Sequence, residues 1–196
     1  MTDVAFDPRP AYSAATAWVQ SLLEGLTDDQ LGRPTPCGRE LDVRTLVGHL
    51  TAHCLQVTAL AETGTVGGLP NTVPEHDAAT YGEARARSIS AWSSEPLDGT
   101  VTAPWGTASG GEALSTYVNE ALVHGWDVAV ATGQPAEIAD GVVAEAALEV
   151  ARVAIPAELR TVPGFPFGPV VEPREGAGPT EQLANWNGRS VIGWGA

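Results

Sequence analysis

The chain has 196 residues, 43% of them hydrophobic and 17% charged, which suits one globular domain with a substantial core and excludes a disordered chain. Acidic residues number 24 and basic residues 10, every one of them Arg, for a net charge of −14. A surface so acidic repels phosphate backbones and anionic lipid, so nucleic acid and membrane are set aside as partners.

The chain opens on "MTDVAFDPRP", which has acids and no apolar h-region, so it does not read as a signal peptide. The first helix is expected over Arg9–Leu26, with Ala15, Trp18, Leu22 and Leu23 near helical spacing. Thr27 and Asp28 cap a short turn through Leu31, and "GRPTPCG" breaks the pattern. Asp42 caps a second helix whose apolar stripe runs through Val43, Leu46, Val47, Leu50, Cys54, Val57 and Leu60. "GTVGGLPNTVP" ends it, and a third, more polar helix is expected from about Glu75 to Trp92. The stretch "SSEPLDGTVTAPWGTASGG" reads as a long loop with a little extended structure around Val101.

A fourth helix is expected from about Glu112 to Ala131, stopped at Gly133, and a fifth from about Ile138 to Ile155. The tail from Thr161 to Pro179 is rich in Pro and Gly, and a short final helix is expected at "PTEQLANWNG". No internal repeat or linker interrupts residues 1–196, which read as a single domain. The expected class is all-α: an up-and-down four-helix bundle with an additional short helix, long loops and little or no strand. No apolar run approaches the roughly 20 residues that span a bilayer. With only two cysteines there is no disulfide framework, and the expected location is the cytoplasm.

The polar residues with chemical potential lie on the second and fourth helices. His49 and His53 stand one turn apart, as do Glu120 and His124 in "NEALVHGWD". A Glu and a His on one face are either a satisfied polar pair or part of a metal site. Bundle cores build metal sites from inward Glu and His of facing helices, and His49 with Glu120 and His124 meets the three-ligand count of an open catalytic site. Asp127, three residues past His124, is placed to accept a hydrogen bond from a ligating His or to handle a proton. His53 is an alternate ligand, a base near the site, or a satisfied core histidine. Trp126 reads as packing, His76 as a residue at a helix start, and Cys54 as a small buried hydrophobe. Cys37, in "TPCG", precedes a helix N-terminus and is read as structural. The sequence has no P-loop, no dinucleotide-binding fingerprint and no nucleophile elbow.

The strings "TPCGRELDVRTLVGHL", "NEALVHGWDVAVATG" and "PTEQLANWNGR" together resemble the DinB-like metal-binding superfamily. More narrowly, they resemble the N-terminal domains of mycothiol-dependent maleylpyruvate isomerases and their single-domain actinobacterial relatives. The resemblance runs from near residue 10 to about residue 190. It implies a four-helix bundle holding a divalent metal, zinc or nickel, on His49, Glu120 and His124. It also implies chemistry on a low-molecular-weight thiol such as mycothiol, with a small-molecule cosubstrate, in a monomer or homodimer. His53 and Asp127 are then the residues to handle protons. Two departures stand out: Leu41 occupies a position where relatives usually carry Trp, and the isomerase's additional C-terminal domain has no counterpart here.

Two classes of function follow, an enzyme transferring or isomerising through a thiol and a non-catalytic metal-binding stress-response or interaction module. An open coordination position beside a deep pocket marks the first, and a fourth protein ligand such as His53 with no pocket marks the second. The loop Asp98–Gly111 with Trp105, and the aromatic residues Phe165 and Phe167, are the candidate walls of such a pocket.

Overall fold

The computed structural model describes residues 7–162 and 167–194, the side chain of Thr161 excepted. Six α-helices and two small antiparallel sheets run in the order α1 (Arg9–Glu24), β1 (Pro34–Thr35), β2 (Gly38–Asp42), α2 (Val43–Thr63), α3 (Ala78–Trp92), β3 (Thr100–Ala103), β4 (Gly106–Ser109), α4 (Gly110–Thr132), α5 (Gly141–Ala154) and α6 (Pro179–Trp186). The expected all-α class holds, with strand confined to the two hairpins.

Local chemistry sets most of these boundaries. The Asp42 side chain accepts from the Thr45 amide at 2.8 Å and starts α2 where expected. Asp77 does the same for Thr80, so α3 begins at Ala78 and leaves Glu75 and His76 outside. Ser109 and Glu112 form a reciprocal capping box that starts α4 two residues before the expected Glu112. Gly133 ends α4 in the left-handed conformation, φ 74°, and its amide returns to the Ala129 carbonyl. The extended structure expected around Val101 is β3, and it continues into a hairpin with β4, paired from Thr100↔Ser109 to Ala103↔Gly106, where the rest was expected to be loop. Trp105 stands at its tip, where Gly106 takes φ 135°.

Helix α1 packs on α3 and α4, and α2 packs on α3 and α4, which closes the four-helix bundle. Val19, Leu46, Val47, Leu50, Tyr81, Leu114 and Leu122 are buried in its core, and Trp126 is buried with them. Gly125 lets α1 approach α4: a Cβ there would lie 2.6 Å from the Trp18 ring. Helices α5 and α6 pack on each other and on α4, outside the bundle. Glu137 accepts from the Thr180 and Glu181 amides at 2.9 and 3.0 Å and so fixes the start of α6. Among the described residues, no helix is long and apolar enough to cross a membrane.

Candidate metal centre

Helices α2 and α4 carry the polar residues singled out in the sequence, and they bring them together. One ligand atom each from His49, His53 and Glu120 lies within 4.8 Å of the others. His124 stands beside them, its Nε2 3.2 Å from Glu120 Oε2 and its ring centroid 5.1 Å from that of His49. The rings of His49 and His53 are 4.0 Å apart. All four line a cavity of about 960 Å3 whose other walls include Trp105, Ile155 and Phe167. Trp105 and Phe167 are thus where the sequence placed them, whereas Phe165 lies outside the described residues.

The outward-facing nitrogens of two imidazoles are tied down. His49 Nδ1 donates to the Asn71 carbonyl. That carbonyl arrives because Gly48 has no side chain: a Cβ would collide with the Val73 carbonyl, and the Val73 amide bonds the Gly48 carbonyl at 3.2 Å. His124 Nδ1 donates to Asp127 Oδ2 at 3.1 Å. Asp127 is fully buried behind His124 and is not among the residues that line the cavity; its contacts there are with His124 and Arg189. Committing Nδ1 of an imidazole to an acceptor leaves Nε2 for a metal ion, the usual outer arrangement at histidine-metal sites.

The electrostatics are those of a tightly coupled cluster. Burial pushes the Glu120 carboxyl up, but the hydrogen bond with His124 and the charges of the three imidazoles outweigh it and hold it at about 2. Burial lowers His124, and hydrogen bonds to Asp127, Cys37 and Glu120 overcome that and raise it well above the ordinary imidazole range. Burial, with His49 next to it, lowers His53 to about 3. His53 Nδ1 is buried without a hydrogen-bond partner. An ionised carboxylate, two imidazoles that burial keeps neutral (His49 and His53) and an orphaned ring nitrogen are donor chemistry a divalent transition metal takes, and His124 would have to give up its proton to join them.

Several residues in the cavity wall, or packed behind it as Tyr117 is, had escaped the sequence reading. Tyr117 stacks edge-on to His53 at 5.3 Å and donates to Gln56 Oε1 at 2.9 Å, and Gln56 in turn donates to the Pro70 carbonyl and Asn71 Oδ1. Arg189, past α6, reaches back so that its Nε lies 3.4 Å from Asp127 Oδ2. Cys37 lies in the turn between β1 and β2, not at a helix N-terminus, and is among the residues that line the cavity. Cys37, His124 and Asp127 form a second group with ligand atoms within 4.8 Å of one another. His76 faces Arg44 away from this cluster.

The fold and the clustered donors make a helical bundle with a His- and Glu-lined pocket. The family model for the mycothiol maleylpyruvate isomerase N-terminal domain matches residues 12–129, nearly the whole of the four bundle helices. The chain belongs to that family. An uncharacterised Mycobacterium tuberculosis protein, found in two strains, is 31% identical over 187 residues, covering 94% of this chain and 99% of its own. The crystal structure of the mycothiol-dependent maleylpyruvate isomerase has a TM-score of 0.55 at 17% identity, and a histidine-to-alanine variant of it has 0.56 at 16%. Each covers 78% of this chain and 68% of its own, and what they share with it is the fold.

Proposed function

We propose that the protein is a divalent-metal enzyme that activates a low-molecular-weight thiol of the mycothiol type and uses it to transfer sulfur to, or isomerise, a small electrophile. The observation that supports this reading is a cavity of about 960 Å3 lined by His49, His53, Glu120 and His124, with Nδ1 of His49 and of His124 held from behind. Membership of a family named for a mycothiol-dependent isomerase supports the thiol.

His49, Glu120 and His124 would hold the ion, zinc or nickel. When bound, it supplies Lewis acidity that favours a thiolate near neutral pH. Asp127 fixes the tautomer and orientation of His124. His53, which lines the cavity with its ring 4.0 Å from that of His49, is the group we assign to handling a proton there. Gln56 and Asn71, hydrogen-bonded to each other and backed by the buried Tyr117, give the cavity a polar wall for a ligand, and Trp105 covers Tyr117 at a centroid distance of 5.2 Å.

A second reading has its own observation. His53 groups with His49 and Glu120 within 4.8 Å, so it can serve as a further protein ligand and close the coordination sphere of a non-catalytic module. Calorimetry of zinc-loaded protein with mycothiol separates the two. The enzyme reading predicts binding that vanishes in metal-free protein, and the closed-site reading predicts none in either form. A His53→Ala variant that gains thiol binding would favour the closed site.

A further inference from the structure

Beyond its metal-type donors the cavity has an apolar wall and a fixed cation. Leu41 of β2, Leu46 of α2, and Val150, Ala151, Ala154 and Ile155 at the end of α5 make the wall. Positions 150, 151, 154 and 155 recur at one-turn spacing, so this end of α5 turns a single face to the cavity, and no polar side chain lies on it. The neighbouring charges, Glu149 and Arg152, pair with each other in solvent. Leu41, Val150 and Ile155 are half-buried and Ala154 is exposed, so the wall keeps apolar surface that a ligand can cover. A cavity of about 960 Å3 is of the size that encloses a drug-sized molecule, and a compact polar one would leave this wall wet.

Arg189 is the one permanent cation among the described residues that line the cavity. Nη1 donates to the Asn187 carbonyl at 3.0 Å, Nη2 donates to the Cys37 sulfur at 3.4 Å, and Nε lies 3.4 Å from Asp127 Oδ2. These contacts use three of the five N–H groups of a guanidinium and leave one on each terminal nitrogen, the pair a carboxylate accepts side by side. They also hold the group in place before a ligand arrives, which lowers the ordering cost of binding. Asp127 Oδ2 accepts from His124 as well, so its charge is shared and Arg189 stands beside the donor cluster. We propose that the cavity binds a carboxylic acid with an apolar body, its carboxylate on Arg189 and its body along the α5 wall. That this acid is the electrophile of the thiol reaction rests on the metal and thiol reading above; the binding site does not.

Calorimetry of metal-free, full-length protein tests the site, with butanoate, hexanoate, octanoate and 1-octanol as probes near neutral pH and about 0.15 M salt, where surface charge is screened. The expected result is one ligand per chain and an affinity that rises about three- to fourfold per methylene along the acids. Octanoate is expected to bind at least about tenfold more tightly than 1-octanol. Val150→Glu, at a half-buried position, is expected to weaken octanoate at least about tenfold with helical circular dichroism unchanged. Arg189→Gln is expected to bring octanoate down to the level of 1-octanol and to keep the dependence on chain length. Because that variant also loses structural contacts, the octanoate-to-octanol ratio in the unaltered protein carries the decision. Octanoate no tighter than butanoate overturns the apolar seat, and octanoate no tighter than 1-octanol overturns the role of Arg189. A zinc titration of the same protein separates the two readings. Chain-length-dependent binding by a chain that takes up no zinc upholds the acid site and overturns the metal centre, and zinc uptake without such binding does the reverse.

Discussion

His124 shows how much of the site depends on single atoms. Its Nδ1 meets a fully buried carboxylate and its Nε2 meets Glu120, so the ring cannot rotate without breaking both contacts. Asp127→Asn keeps the shape and removes the charge, and metal affinity measured against a competing chelator is expected to fall by about 10–100-fold. An unchanged affinity would remove Asp127 from the site. The buried imidazole of His53 has a consequence for stability. Its folded value is lowered to about 3 from an ordinary 6.5, so it favours folding at pH above 6.5 and that contribution is lost as pH falls toward 3. Urea unfolding of metal-free protein should show this acid loss, and His53→Gln should make the profile flatter between those limits. The Glu120 and His124 pairing was visible in the sequence because it is a local, one-turn repeat. Cys37 and Arg189 were not, because 152 positions separate two groups that only the tertiary fold brings into contact.

Helix boundaries illustrate what short-range chemistry does and does not determine. Capping side chains at Asp42 and Gly133's left-handed turn were readable from residue type. Of the β3–β4 hairpin only the extended structure around Val101 was, and its pairing with β4 was not, since two four-residue strands are too short for alternation to emerge. Ser109→Ala removes one half of the α4 capping box, and its expected cost is about 1 kcal/mol in chemical denaturation, with no change in the metal donors. Gly48→Ala is a different kind of change. It sets a methyl group against the Val73 carbonyl, pushes the Asn71 segment off α2 and frees His49 Nδ1. Its signature is weakened metal binding with the helical content retained, and a variant that binds metal normally would show that the segment does not hold His49.

At the scale of the molecule, the bundle supplies the donors and the rest of the chain supplies the enclosure. The family match ends at residue 129, inside α4. Val150, Ile155, Phe167 and Arg189 come after it and line the same cavity. Helix α6 is anchored by Glu137, and Asn119 and Asn187 exchange hydrogen bonds at 3.2 and 2.9 Å, which ties the C-terminal segment to α4 near Glu120. The all-α class was legible because the apolar stripes of α2 and α4 are long and regular. The wrapping of α5 and α6 around one side of α4 was not, because it rests on buried polar pairs between distant segments.

The central claim is that α2 and α4 together hold one divalent ion. Protein loaded with zinc and freed of excess ion is to be analysed for bound metal, alongside a His49→Ala, His124→Ala double variant whose helical circular dichroism matches it. The account predicts one ion per chain in the first and none in the second. A wild-type chain that retains no metal after loading, or a double variant that retains as much, would contradict it.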